Sequence, residues 1–281
     1  MAENAGLPDW NRLATLSDAE LPLLETALLI ARDEYPELET GAYLAMVDGY
    51  GRRLSASLSE GLDIPSKLTA INHFLYKELG FSGNARNYED PRNSYLNQVF
   101  DRRLGIPISL AVVHIAVMHR IGLPLEGISF PGHFLVRLPV DDGILVLDPF
   151  NQGRPVSIEE LRERVTPHLD GLAPSDSQLF QILAPATART ILMRMLRNLQ
   201  TIYQHQGDFE RVARSADRIL KLSPDLPEAL RDRGFAYAEI GYRSGANADL
   251  TRYLQLRPDA EDADGVRNLL IEAAALPKRL N

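Results

Sequence analysis

Leu21, Leu24, Ala27, Leu28 and Ala31 recur three and four positions apart, the spacing of one buried helix face. Ser17 and Glu20 stand before them at capping-box spacing, which predicts a helix start near Ser17. Pro36 predicts its end, because a proline ring cannot continue a helix. A second helical pattern runs through Tyr43, Met46, Val47 and Tyr50 toward Leu58. A third follows Pro65, with Ser66 as its expected cap, and carries Leu68, Ile71, Leu75 and Leu79 to Gly80. Residues 1–16 show no such pattern and read as a flexible lead-in.

A polar run from Asn87 to Asn97 begins as a loop and is expected to turn helical through Val99. Pro107 then suits a first helical position, where its missing donor costs nothing, and Gly122 and Pro124 close that helix. Leu110 to Met118 is apolar nearly all round, so this helix should lie at the centre of a domain. Beyond it the pattern changes to strands at Leu125–Phe130, His133–Leu138 and Ile144–Asp148. Asp142-Gly143 between the last two predicts a tight hairpin. Residues 151–188 mix short helical pieces with Pro167, Pro174 and Pro185, a linker composition.

The remainder repeats. Tyr203 and Tyr237, Gly207 and Gly241, Leu220 and Leu254, Leu222 and Leu256, and Pro224 and Pro258 all stand 34 residues apart. That period resembles the tetratricopeptide repeat, a helix–turn–helix unit. The expected organisation is a lead-in at 1–16, an α+β domain at 17–185 and an all-α repeat module at 186–281.

Composition narrows the chemistry. The 281 residues are 45% apolar and 24% charged, with net charge −8. Residues 1–188 hold 15 basic and 25 acidic side chains, against 15 and 13 in residues 189–281. An acidic main domain argues against nucleic acid as a partner. No apolar run of about 18 residues predicts a membrane span. The first ten residues do not read as a secretory signal, and a cytoplasmic location is expected. The absence of cysteine removes disulfides, cysteine metal sites and a thiol nucleophile. No phosphate-binding loop or metal-ligand cluster is present, so no cofactor is expected.

Ser109 falls in the first turn of the apolar helix, where free backbone N–H groups suit a nucleophile or an anion, or where the hydroxyl serves as a local cap. His133 opens a strand and Asp148 ends the next. With a two-residue Asp142-Gly143 turn, Arg137 would stand opposite Asp148 and His133 opposite Gln152. His133 and Asp148 would then share a face but be offset along it, leaving either a twist that joins them, an Asn151 that orients the histidine, or an Arg137–Asp148 ion pair. Asn93, Asn97 and Gln98 could donate to an oxyanion. Arg92, Arg102 and Arg103 could pair with Asp90 and Asp101, with Arg92 and Asn93 also candidates for binding.

Gly105-Ile106-Pro107-Ile108-Ser109-Leu110, Pro131-Gly132-His133-Phe134-Leu135-Val136-Arg137 and Leu147-Asp148-Pro149-Phe150-Asn151 look like segments of the transglutaminase-like superfamily. With Asp90 to Ser94, Arg102 to Pro107 and Ile30 to Pro36, they resemble more closely the bacterial SirB-type proteins, which join such a core to tetratricopeptide repeats. The resemblance implies a papain-like Cys-His-Asp site whose positions fall on Ser109, His133 and Asp148. It departs at the nucleophile, and SirB-type proteins that carry serine there have no established activity. The expectation is a non-catalytic protein with a relic cleft, its repeats holding a protein or peptide partner; its oligomeric state is left open. The alternatives are a serine hydrolase or acyltransferase using Ser109, His133 and Asp148, or an assembly factor using both domains as one interface.

Overall fold

The computed structural model describes residues 9–275 apart from Glu60, Asp142 and Asp170. Contacts divide the chain into two compact units, one of residues 16–195 and one of residues 9–15 with 196 onward. The fold is α+β followed by stacked helices.

A short helix α1 (Trp10–Leu13) belongs to the second unit. The first unit opens with Ser17 and Glu20, which do bond to each other, Ser17 N donating to Glu20 Oε2 at 3.0 Å. They close a turn rather than a helix. Pro22 keeps Leu21 out of the helical region, so α2 (Leu23–Glu34) starts six residues beyond Ser17. Next come α3 (Thr40–Ser57) and α4 (Ile64–His73). Asp63, not Ser66, caps α4: its carboxylate accepts from the Ser66 backbone N–H at 2.9 Å. A π-helical turn over Phe74–Glu78 completes that arm.

Strand β1 (Ser82–Gly83) pairs in parallel with β2 (Leu104–Gly105), and α5 (Leu96–Arg102) lies between them in sequence. The apolar helix α6 (Pro107–Arg120) is buried from Pro107 to Met118, as its all-round apolar sequence requires. It packs on α3 and on the sheet. Gly51 permits the first approach, since a Cβ there would come within 2.4 Å of the Arg120 Cβ.

The main sheet runs β3 (Glu126–Ile128), β4 (Leu135–Val140), β5 (Gly143–Asp148) and β6 (Arg154–Pro155), all antiparallel. Two further helices follow, α7 (Ile158–Val165) and α8 (Asp176–Ile182). Ile128, Leu135 and Val146 pack with Leu161, Val165 and Leu179 in one cluster, while Val136 and Leu138 are buried on the opposite face, where α6 contacts β4. The sheet is covered on both faces.

The hairpin differs from the expectation. Val140 pairs with Gly143 and Arg137 with Val146, two positions away from the paper register. Gly143 is therefore the first strand residue and not a turn residue, while Asp142 lies outside the described residues.

In the second unit, α9 (Ala188–Gln206) contributes residues 196–206. It is followed by α10 (Phe209–Leu222), α11 (Pro227–Glu239), α12 (Arg243–Leu256) and α13 (Ala263–Ala275). The 34-residue period is visible in the backbone. Asp208 N donates to Tyr203 O at 2.9 Å and Tyr242 N to Tyr237 O at 2.8 Å. Each closure turns on a glycine of positive φ, Gly207 at 69° and Gly241 at 79°. Arg233 ties three helices, donating to Asp217 on α10 and to both carboxylate oxygens of Asp249 on α12.

Candidate functional site

Ser109 is the third residue of α6 and is wholly buried. Its Oγ accepts from the Ile106 backbone N–H at 3.0 Å and donates to the Asn93 carbonyl at 2.6 Å. A hydroxyl has one proton to give, and that proton is committed. Gly105 makes the arrangement possible, because a Cβ there would stand 2.7 Å from the Oγ. No hydrogen bond joins Ser109 to His133 among the described residues.

His133 and Asp148 do meet, His133 Nε2 to Asp148 Oδ1 at 2.9 Å. The register explains it. With pairs advancing from Val140–Gly143, Asp148 falls opposite Leu135, two residues from His133 on the same face, instead of four. The Arg137–Asp148 pair therefore does not form. Arg137 donates instead to Glu126 at 2.8 Å and to the Leu183 carbonyl at 2.9 Å.

Asp148 is fully buried and surrounded by donors. Asn151 gives its Nδ2 at 2.7 Å and Arg164 its Nη1 at 3.0 Å. Burial alone would raise this carboxyl, but the His133, Asn151 and Arg164 donors outweigh it and hold the pKa well below the ordinary carboxylate range. An ionised carboxylate only accepts, so Nε2 of His133 carries the proton in their bond and Nδ1 has no partner among the described residues. Asn151 thus orients the carboxylate, not the imidazole.

Two arginines missing from the sequence reading complete the site. Arg164, on α7, balances the Asp148 charge. Arg194 holds the loop that carries His133, donating to Ser129 Oγ, the Phe130 carbonyl and the His133 carbonyl at 2.8, 3.1 and 2.7 Å. Both lie far along the chain from their partners, and no local motif marks them. The Phe150 ring stands edge-on to His133 at 6.0 Å and to Tyr88 at 6.2 Å. Gly132, at φ 67°, leaves the space occupied by the His168 ring.

The other polar candidates are held in the preceding loop. Asn93 is buried and binds the Asn87 and Tyr88 carbonyls through its Nδ2, while its Oδ1 accepts from Asn84. Arg92 pairs with Asp90 at 2.8 Å, and Arg102 reaches the same carboxylate at 3.4 Å. Arg103 stacks over the Tyr50 and Phe81 rings. Asn97 is buried, with Oδ1 lacking a partner among the described residues. Among those residues no group of three or more His, Asp or Glu is placed to hold a metal.

The model of the transglutaminase-like superfamily matches residues 41–197, and a tetratricopeptide repeat model matches residues 199–271. The chain belongs to the transglutaminase-like superfamily. Two relatives match along most of the chain. A UPF0162 protein of Xylella fastidiosa is 60% identical over 272 residues, covering 97% of each chain. A UPF0162 protein of Vibrio cholerae is 30% identical over 245 residues, covering 87% of this chain and 89% of the relative. Human F-box only protein 21 is 29% identical over 186 residues, 62% of this chain and 28% of its own. The transglutaminase-like core followed by repeats is the organisation expected of the SirB type. No helix among the described residues is long and apolar enough to cross a membrane.

Proposed function

We propose that this transglutaminase-like protein is non-catalytic and acts as a scaffold that binds a protein or peptide partner through its repeats, in the cytoplasm. One observation carries the reading: the Ser109 hydroxyl is buried and its proton is committed to the Asn93 carbonyl at 2.6 Å. An alcohol becomes a nucleophile by passing its proton to a base in reach, and Ser109 has no such bond to His133 among the described residues. The chain also holds no cysteine to take the thiol role. The His133–Asp148 pair then serves as a clasp joining the start of β4 to the end of β5. Stacked helix pairs supply the partner surface.

The test is intact-mass labelling with a fluorophosphonate probe on wild type, Ser109→Ala and His133→Ala. The folded wild type is expected to take no adduct. A single adduct lost in both variants overturns the proposal and makes Ser109 a working nucleophile.

A further inference from the structure

The inner face of α11 is closed. Ala229, Leu230 and Ala236 are buried, and a Cβ at Gly234 would stand 2.7 Å from Leu250 of α12. The opposite face carries Glu228, Asp232, Phe235 and Glu239, spaced four, three and four apart, which places them on one line within about 60° of arc. Phe235 is 37% exposed. Glu239 has no ion-pair partner among the described residues, and Glu228 shares Arg257 only at 3.7 Å.

A second observation points to something missing beside this line. Gln200 of α9 donates its Nε2 to Asp232 Oδ2 at 2.7 Å, so its carboxamide sits against the acidic stripe. The residue is 6% exposed, and its Oε1 has no hydrogen-bond partner among the described residues. A buried carbonyl oxygen without a donor costs about 1–3 kcal/mol. Asp232 is already paired with Arg231 at 3.0 Å, so the acceptors left along this line are Gln200 Oε1 and the Glu228 and Glu239 carboxylates, and the chemistry that suits them is a donor-rich cation.

We infer that the α11 face of the repeat unit binds a basic peptide segment, with lysine or arginine flanking an apolar residue that packs on Phe235. This rests on the reading that the repeats hold a partner. The stripe from Glu228 to Glu239 rises about 16 Å along the helix, which about five extended residues would match. Side chains at alternate positions of such a strand point one way, so the pattern that fits is Lys-x-Leu-x-Lys.

The probe is a fluorescein-labelled peptide with a Lys-Ser-Leu-Ser-Lys core, measured by fluorescence anisotropy at low and high salt, beside its glutamate-for-lysine counterpart. The lysine peptide is expected to bind the full chain, and Glu239→Lys and Phe235→Ser each to weaken it at least ~10-fold, a difference of about 1.4 kcal/mol. Asp176→Lys, which changes a 96% exposed carboxylate in the first unit, should leave binding unchanged. Circular dichroism checks that each variant is folded. The inference fails if the lysine peptide does not bind, or if Asp176→Lys weakens it as much as Glu239→Lys, which would mark general attraction to an acidic chain. It also fails if the glutamate peptide binds equally well; the repeats would then still hold a peptide, and only the charge assignment would fall. Failure of the non-catalytic reading shows separately, as a fluorophosphonate adduct.

Discussion

Ser109 and His133 are anchored in opposite ways. Ser109 is held through its side chain, with Oγ bonded to the Ile106 N–H and to the Asn93 and Ile106 carbonyls. His133 is held through its backbone: its N–H donates to the Phe130 carbonyl at 3.2 Å and its carbonyl accepts from Arg194. Its ring is 21% exposed and uses one nitrogen on Asp148, leaving the other open. A residue fixed by its main chain keeps its side chain for other work. A residue fixed by its side chain has already spent it. Residue types in the right order are therefore not enough for a catalytic group; the proton to be moved must be unspent.

The largest effect should come from Asp148. Asp148→Ala leaves the Arg164 guanidinium and the His133 Nε2–H facing an emptied, buried space. Urea unfolding should show a loss of about 3–5 kcal/mol. A cost under about 1 kcal/mol would mean the cluster is no clasp. Ser109→Ala strands the Asn93 carbonyl and the Ile106 N–H, and should cost about 1–3 kcal/mol. His133→Ala should cost less than Ser109→Ala if the two anchoring modes differ as described; equal or reversed costs break the comparison.

His114 sharpens it from another side. It is wholly buried on α6, with Nδ1 3.2 Å from the Tyr76 hydroxyl, and burial pushes its pKa down to about 4. The folded pKa lies below the unfolded value of about 6.5, so the unfolded chain takes up the proton first. Stability attached to this group is complete above about pH 6.5 and is lost as pH falls toward 4. At pH 5 the loss should be about 2 kcal/mol relative to pH 7. His114→Asn should flatten that slope; an unchanged slope would remove His114 as its cause. The smallest effect belongs to Arg92→Ala. Its guanidinium is 55% exposed and pairs with Asp90, so thermal unfolding of the variant should be nearly indistinguishable from wild type.

Much of this was readable in the chain. The apolar run on α6 and the 34-residue period placed the core and the repeats, because both depend on local periodicity. The hairpin register did not follow from the Asp142-Gly143 pair, since a shift of two positions keeps every side chain on its expected face and leaves the hydrophobic pattern satisfied. That shift is what joins His133 to Asp148. The caps were misread where a neighbour intervened, Pro22 delaying α2 and Asp63 reaching Ser66 N before the serine could act. The commitment of the Ser109 hydroxyl to a carbonyl sixteen residues away is a tertiary fact that spacing cannot carry. Nor can it carry Arg164 and Arg194, whose partners lie 16 and 61 residues back.

The matched closures at Gly207 and Gly241 have a consequence for the length of the molecule. The segment from Phe209 to Tyr242 is 34 residues long, and the residue before it, Asp208, and its last, Tyr242, occupy the same point of the same turn. It is an interchangeable cassette: a second copy spliced in tandem would enter and leave with the backbone already in the required direction. The repeat array could thus gain a unit, and with it another outward helix like α11, by one in-frame duplication and without redesigning a single loop.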